Sequence, residues 1–599
     1  MTSAWRGLLI RNLSIPTLIS AVFVSATMHA AVKPGVGLGC AQPKQASLFG
    51  PHVFVFCPEM SSSVMQTAID QVYAEQQHSE FGQGRFAFLL LPGEYKLDIP
   101  IGFYTEVMGL GALPDDVHVI GNVHVDAAFR NNNATTTFWR GAEGFSVTPT
   151  NGTLQWAVSQ AVFFRRMHVE GNMVLHQNRG WASGGWMSDT QIDGNVDSGT
   201  QQQWISRNTS WKSWTGSNWN MAFVGALNTP AGNWPDPPYT KLNTVPIESE
   251  KPYLQVDRKG RYGVFVPAIL RETAGTSWAS GAPAGRWIPL KRFYITRPET
   301  DSAATINAAL SSGKDLLLTP GTYALDEPIR IKRKDTIVLG LGFATLRPVR
   351  GTAAMTVADV DGVSISGLLF DAGEIRSPVL LQVGDAGNHR SHAPNPTTLH
   401  DVFFRVGGAG IGKTVANLVI DSNDVIVDHT WIWRADHGRG VGWASNVSAN
   451  GLVVNGDDVI VYGLFVEHHQ QFQVLWNGEK GRTFFYQSEI PYDPPDQQSW
   501  MSAPGVKGWA SYKVSNRVKS HEAWGLGIYS VFRHPGVTLS HAIETPQSGV
   551  CFEHMITVAL DNRGEISNVI DSTGGAATTQ PRITPKVDIF PAGSSVCIP

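Results

Sequence analysis

The 599-residue chain carries 46 basic and 50 acidic residues, a formal net charge of −4, and only 16% of its positions are charged. That balance offers no basic face for nucleic acid, and no segment after the N-terminus has the roughly 18 uninterrupted apolar residues of a membrane span. The chain is too long for one small core, and its 61 glycines with abundant Asn and Thr predict all-β structure with many turns.

The N-terminus reads as a secretory leader, residues 1–30. Arg6 and Arg11 form a basic start, residues 15–26 a short apolar run, and Ala30 and Ala31 a cleavage site. An exported, extracellular protein is therefore expected. Four cysteines follow: Cys40, Cys57, Cys551 and Cys597. An even number in an exported chain predicts two disulfides. Three pairings are open; Cys40–Cys57 with Cys551–Cys597 is favoured, because each pair pins one terminus. No CxxC or closely spaced Cys/His cluster points to a metal, and no cofactor is expected.

The chain then repeats itself. Segment 88–101, FLLLPGEYKLDIPI, matches segment 316–329, LLLTPGTYALDEPI, 228 residues later. The match continues from VMGLG (107–111) to VLGLG (338–342), and a helical pattern precedes each copy, at 61–77 and 302–310. A helix followed by "strand, Pro-Gly-x-Tyr, strand" is expected to cap and open a solenoid, whose exposed core end needs covering. Rung-like strands follow. RMHVEGN (166–172) resembles DTQIDGN (189–195) in the first half; DGVSISGLLF (361–370), DVIVDHTWIW (424–433) and DVIVYGLFVE (458–467) resemble one another in the second. Alternating Val/Ile/Leu with turn-forming Gly, Asn and Asp is the pattern of a right-handed parallel β-helix. Residues 227–287, rich in Pro, Gly and Thr, read as the crossing between two such solenoids, at 31–285 and 286–599. Side by side, these enclose a groove suited to a ligand.

Glu467 and Glu489 lie 22 residues apart in two strand-like segments, about one coil. On successive rungs their carboxylates stack at about 4.8 Å. Two carboxylates so close do not both stay ionised, so one pKa is expected to rise. A carboxylic acid that holds its proton is what cleavage of a glycosidic bond needs. A solvated rung face is the bland alternative for each. His468 and His469 point to opposite faces of a strand and read as packing or hydrogen-bonding residues rather than a metal pair. The run GGAGIGK (407–413) lacks the α/β setting of a phosphate loop.

The block 466–493 (VEHHQQFQVLWNGEKGRTFFYQSEIPYD), with WRADHG (433–438) and the duplicated caps, resembles glycoside hydrolase family 55. The resemblance implies a double β-helix and an inverting, mostly exo-acting β-1,3-glucanase active on laminarin-type glucan. It implies Glu489 as general acid, Glu467 as a second carboxylate tuning or orienting the site, and a Gln and a Ser of the first solenoid holding the attacking water. Gln177 and Ser206 are the choices for that pair, with Gln201, Gln203, Ser198 and Ser183 as alternatives. Expected substrate contacts are Trp181, Trp186, Gln203, Trp204, Trp443, Trp476, Asp436 and His437; core packing is equally open for the tryptophans, and turn capping for Asp436 and His437. The expected partner is a neutral polysaccharide, bound by a monomer. A polysaccharide lyase or a non-enzymatic β-helix are the rival readings. Asn133, Asn151, Asn208 and Asn446 lie in Asn-x-Ser/Thr sequons.

Overall fold

The computed structural model describes residues 48–387, 390–593 and 597. The leader and Cys40 lie outside the described residues.

Each solenoid opens as its repeat predicts. Helix Ser62–Gln76 buries Met65, Ala68, Ile69 and Val72 over the end of the first. Helix Ala303–Ser311, capped by Ser302, covers the second with Ala303, Ile306 and Leu310. The Pro-Gly-x-Tyr copies share one device. Gly93 and Gly321 adopt φ of 144° and 151°, and a Cβ on either would fall within 2.6 and 2.4 Å of the rings of Pro58 and Pro298. The tyrosine two residues after each glycine closes the turn: the Tyr95 hydroxyl donates to the Leu91 carbonyl at 2.7 Å, and that of Tyr323 to the Thr319 carbonyl at 3.0 Å.

The first solenoid has a nine-stranded parallel sheet running from Val53–Phe56 to Tyr239–Leu242 and a second parallel sheet opening at Gly93–Pro100. The second has a long parallel sheet that begins at Phe293–Thr296 and includes Ile426–Arg434, Ile460–Glu467, Gly481–Glu489 and His521–Ser530. Only its last pair, Val550–Ala559 with Lys586–Phe590, is antiparallel. Two small antiparallel sheets, at Val245–Ser249 with Ile269–Thr273 and at Tyr253–Val256 with Tyr262–Pro267 and Gly285–Pro289, occupy the crossing. Each solenoid has its own apolar core, and a third, aromatic-rich cluster joins the two.

The long sheet carries a column of left-handed residues, one per rung: Gly367, Asp401, His429, Gly463, Phe485, Gly525 and His554. Pairing passes over them, from Tyr462/Phe484 directly to Leu464/Tyr486. Each therefore resets the side-chain alternation. Before the bulge Ile460 and Tyr462 face the first solenoid and Val461 the core; after it Leu464 and Val466 face the core and Phe465 the first solenoid. Unbroken alternation would send Glu467 into the core; the bulge turns it outward.

Cys551 is bonded to Cys597, with Cα atoms 5.6 Å apart, as expected. Cys57 is also disulfide-bonded. Of the sequons, Asn208 and Asn446 are buried and spend their amides on Glu248 and on the carbonyls of Val406 and Ala435.

Candidate active site

Glu467 and Glu489 are register partners on neighbouring strands. They stand in an outward row, Trp433, Glu467, Glu489, Tyr529, contributed by four successive rungs. His468, at φ 67°, turns the chain away directly after Glu467.

The two carboxyls have different surroundings. Glu467 accepts from Gln160 Nε2 at 3.0 Å and from Trp431 Nε1 at 2.9 Å, so a residue of each solenoid holds it. Burial pushes its pKa up to about 7 against these two donors and the nearby Gln487, which favour the carboxylate. Gln487 makes this approach without a hydrogen bond of good geometry. Glu489 is raised further: burial acts first, then the charges of Glu467 and Asp436. Its Oε2 accepts from the Tyr492 hydroxyl. His468 Nε2 lies 3.9 Å from the same oxygen, and burial lowers that imidazole to about 4, so it is neutral. His468 and His469 spend ring nitrogens on the carbonyls of Ile490 and Ile432 and on Ser448 Oγ. Asp436 stays ionised: burial opposes, but the hydrogen bond from His437 at 2.8 Å and the charges of His437 and Arg533 pull its pKa to about 2. The site thus holds one carboxyl that keeps its proton beside fixed negative charge.

Both flanks of the row are filled. Towards the earlier rungs lie Trp433, Trp431, Phe138 and Phe81, with Trp433 and Trp431 centroids 4.7 Å apart. Towards the later rungs, Tyr529 packs on Trp219 at 5.2 Å, in a cluster with Trp234, Ile556 and Val558. The carboxylates therefore lie in a short pocket between the solenoids rather than in an open groove.

Several expected residues are elsewhere. Ser206 pairs with Met187 and Phe223, both in the first core, and its buried hydroxyl faces inward with them. Gln177 accepts from the Ala127 amide at 2.5 Å, so it ties one surface loop to another. The residue of the first solenoid that hydrogen-bonds Glu467 is Gln160, which the sequence reading missed; its backbone, at φ 38°, departs from the strand pattern and no motif marks it. Around it, Gly184 accepts from the Gln160 amide at 3.0 Å and Ser183 from Gln203 Nε2 at 2.5 Å. Gln203 faces the second solenoid beside Asn220, whose amide bonds to the Gly525 carbonyl. Gln201 donates to Val158 and Leu175, and Ser198 to Thr215, so both are structural.

Three tryptophans expected to stack on sugar are core residues with no exposure: Trp204 in the first solenoid, Trp476 in the second, and Trp186 between them, parallel to His429 at 5.1 Å. Inward-facing indoles fill the wide solenoid interiors, and nothing in the local sequence distinguishes them from platforms. Trp181 is 43% exposed on the 176–184 loop, two residues from Ser183. Trp443 is half-buried beside Arg434, at 5.7 Å. Asp436 and His437 sit at the pocket rim, 22% and 34% exposed.

A family model described as the LAM55 pectate lyase-like domain matches residues 293–489, a span ending at Glu489. An exo-beta-1,3-glucanase of Streptomyces sp. (strain SirexAA-E / ActE) is 45% identical over 583 residues, covering 97% of this chain and 94% of that protein. The chain belongs to glycoside hydrolase family 55. The solved structure of sacteLam55A from Streptomyces sp. SirexAA-E superposes with a TM-score of 0.88 at 46% identity, covering 91% of this chain and 99% of the other. A variant of that protein in complex with glucose gives 0.89, at 46% identity and with 91% and 98% covered. This family 55 member is therefore a glycoside hydrolase on a double β-helix, and both rival readings, the lyase and the non-enzymatic scaffold, give way to it.

Proposed function

We propose that the protein is an exported exo-β-1,3-glucanase acting with inversion. The observation that carries the reading is the Glu467–Glu489 pair, one carboxyl holding its proton, in a pocket filled on both flanks. A chain end enters such a pocket more readily than the middle of a polymer. The relative described as an exo-beta-1,3-glucanase, and the glucose complex of the sacteLam55A variant, support the substrate class. The leader pattern and the Cys551–Cys597 disulfide support export.

In this reading Glu489 gives its proton to the glycosidic oxygen as the bond to C1 breaks. Water attacks C1 from the opposite face and its proton passes to a base. An inverting pair of carboxyls is normally separated by about 6.5–9.5 Å, wider than one rung spacing of about 4.8 Å. The water is thus expected on the first-solenoid side, held by Gln160 with Glu467, rather than between the two stacked carboxyls. Gln160 takes the role expected of Gln177, and Ser183, next to the Gly184 carbonyl that accepts from the Gln160 amide, is our choice for the role expected of Ser206.

The test is hydrolysis of laminarin followed by proton NMR. Immediate appearance of α-glucose, with no unsaturated-uronide absorbance from acidic glycans, is expected. First-formed β-anomer would rule out inversion, and a ladder of oligosaccharides at early times would rule out exo action.

A further inference from the structure

A loop of the first solenoid crosses to the second beside the carboxylates. It follows helix Ser62–Gln76 and carries Glu80 and Phe81. Glu80 Oε1 meets His437 Nε2 at 2.5 Å, Oε2 accepts from Arg130 Nη2 at 2.6 Å, and the Glu80 carbonyl accepts from the Tyr104 hydroxyl at 2.7 Å. So anchored, the loop lays the Phe81 ring parallel to the Trp433 indole, centroids 6.1 Å apart and planes 10° apart, with His437 edge-on at 5.6 Å. The second solenoid is shaped to receive it. Gly408 and Gly438 both have positive φ, and a Cβ on either would come within 2.3 and 2.7 Å of the Phe81 ring.

Trp433 is the register partner of Glu467 on the side away from Glu489. Its face is thus one rung from the reacting carboxyls, on the side opposite the proton donor and the leaving group. A flat indole there suits the C–H face of a pyranose ring, through many small dispersion contacts. Phe81 already covers it, in the parallel arrangement a stacked sugar takes.

We infer that Phe81 occupies the place of a second glucosyl residue on Trp433, and that it is the specificity-determining residue that limits release to one sugar at a time. The inference rests on the exo-glucanase reading above. Phe81 takes no part in bond cleavage; it shortens the pocket on the non-leaving side.

The experiment compares the full-length protein with Phe81→Ala on a β-1,3-linked glucopentaose, with products separated at early times. The native protein is expected to release glucose alone, and Phe81→Ala to release β-1,3-linked disaccharide among its first products. Inhibition by that disaccharide should tighten about tenfold in the variant, with inhibition by glucose unchanged. A folded Phe81→Ala protein releasing only glucose overturns the inference. Should that variant unfold, Phe81→Leu keeps apolar filling without a flat ring and should show the same product shift to a smaller degree. If it too unfolds, or still releases glucose alone, Phe81 is a packing residue and the inference fails. Mixed oligosaccharides from the native protein at the outset would instead sink the exo reading itself.

Discussion

At the scale of single residues, the chemistry depends on which carboxyl keeps its proton. Glu489 has no hydrogen-bond donor other than Tyr492 among the described residues, and it faces the charges of Glu467 and Asp436; Glu467 has two well-placed donors. Glu489→Gln preserves shape and removes the transferable proton, so kcat on laminarin should fall by at least about 10²–10⁴-fold, the usual contribution of general acid catalysis, while binding persists. Glu467→Gln should act differently. The acid works in its protonated form, so the Glu489 pKa sets the basic limb of the kcat profile. Removing the Glu467 charge lowers that pKa, and the limb should move to lower pH. Unchanged turnover in Glu489→Gln would reassign the acid. A second pair of variants tests the reassignment of the water-holding residues. Gln160→Leu should lower kcat about 10²-fold, whereas Ser206→Ala, in the first core, should leave it within about twofold. The reverse order would restore Ser206 to the site.

At the scale of the rung, the left-handed column decides which residues face the pocket. Every rung from Gly367 to His554 breaks its alternation at the same place, and the outward row of Trp433, Glu467, Glu489 and Tyr529 follows from that break. Gly463 also lets the first solenoid approach: a Cβ there would come within 2.5 Å of the Trp186 ring. Gly463→Ala therefore combines an unfavourable φ of 63° with a clash in a packed interface. A loss of about 1–3 kcal/mol is expected, read as a lower thermal midpoint, with reduced kcat because Glu467 lies four residues on. A neutral outcome would mean the interface yields at Trp186.

At the scale of the whole molecule, the solenoids are clasped by buried charge. Arg165 and Arg207 of the first solenoid reach Asp401 and Asp428 of the second and Glu248 and Glu250 of the crossing. Lys251 adds Glu106, Glu143 and Asp401, and no side chain in this network exceeds 5% exposure. Three cations thus face six carboxylates, and some carboxyls keep protons. Burial first, with like charge behind it, raises Glu106 to about 7 and Glu248 to about 8, and nearby Asp189 also to about 8. An acid whose folded pKa is raised binds more protons folded than unfolded, so its contribution is lost as pH rises towards the folded value. Between about pH 7.5, a unit above the unfolded histidine value of about 6.5, and about pH 8, the thermal midpoint should fall as pH rises. Glu248→Gln should flatten that slope. A midpoint that climbs over this interval would contradict the proton-holding clasp.

Much of this was legible in the sequence because it is local or repeated. The Pro-Gly-x-Tyr duplication shows two capped solenoids, since each copy builds the same turn from its own residues. The 22-residue spacing of Glu467 and Glu489 shows stacked carboxyls, since it equals one coil. Family membership was readable from the 466–493 block for the same reason. What the sequence did not reveal depends on contacts between distant segments. Gln160 meets Glu467 across 307 positions and Glu80 meets His437 across 357, and no periodicity within either solenoid encodes the register between them. Trp204 and Trp476 look like platforms in the sequence and are core, because whether an indole points in or out depends on the phase in which its strand joins the sheet, which the partner strands on either side decide. The tertiary structure alone decided that the groove is closed beside Trp433, through the seating of Phe81 between two glycines of the other solenoid.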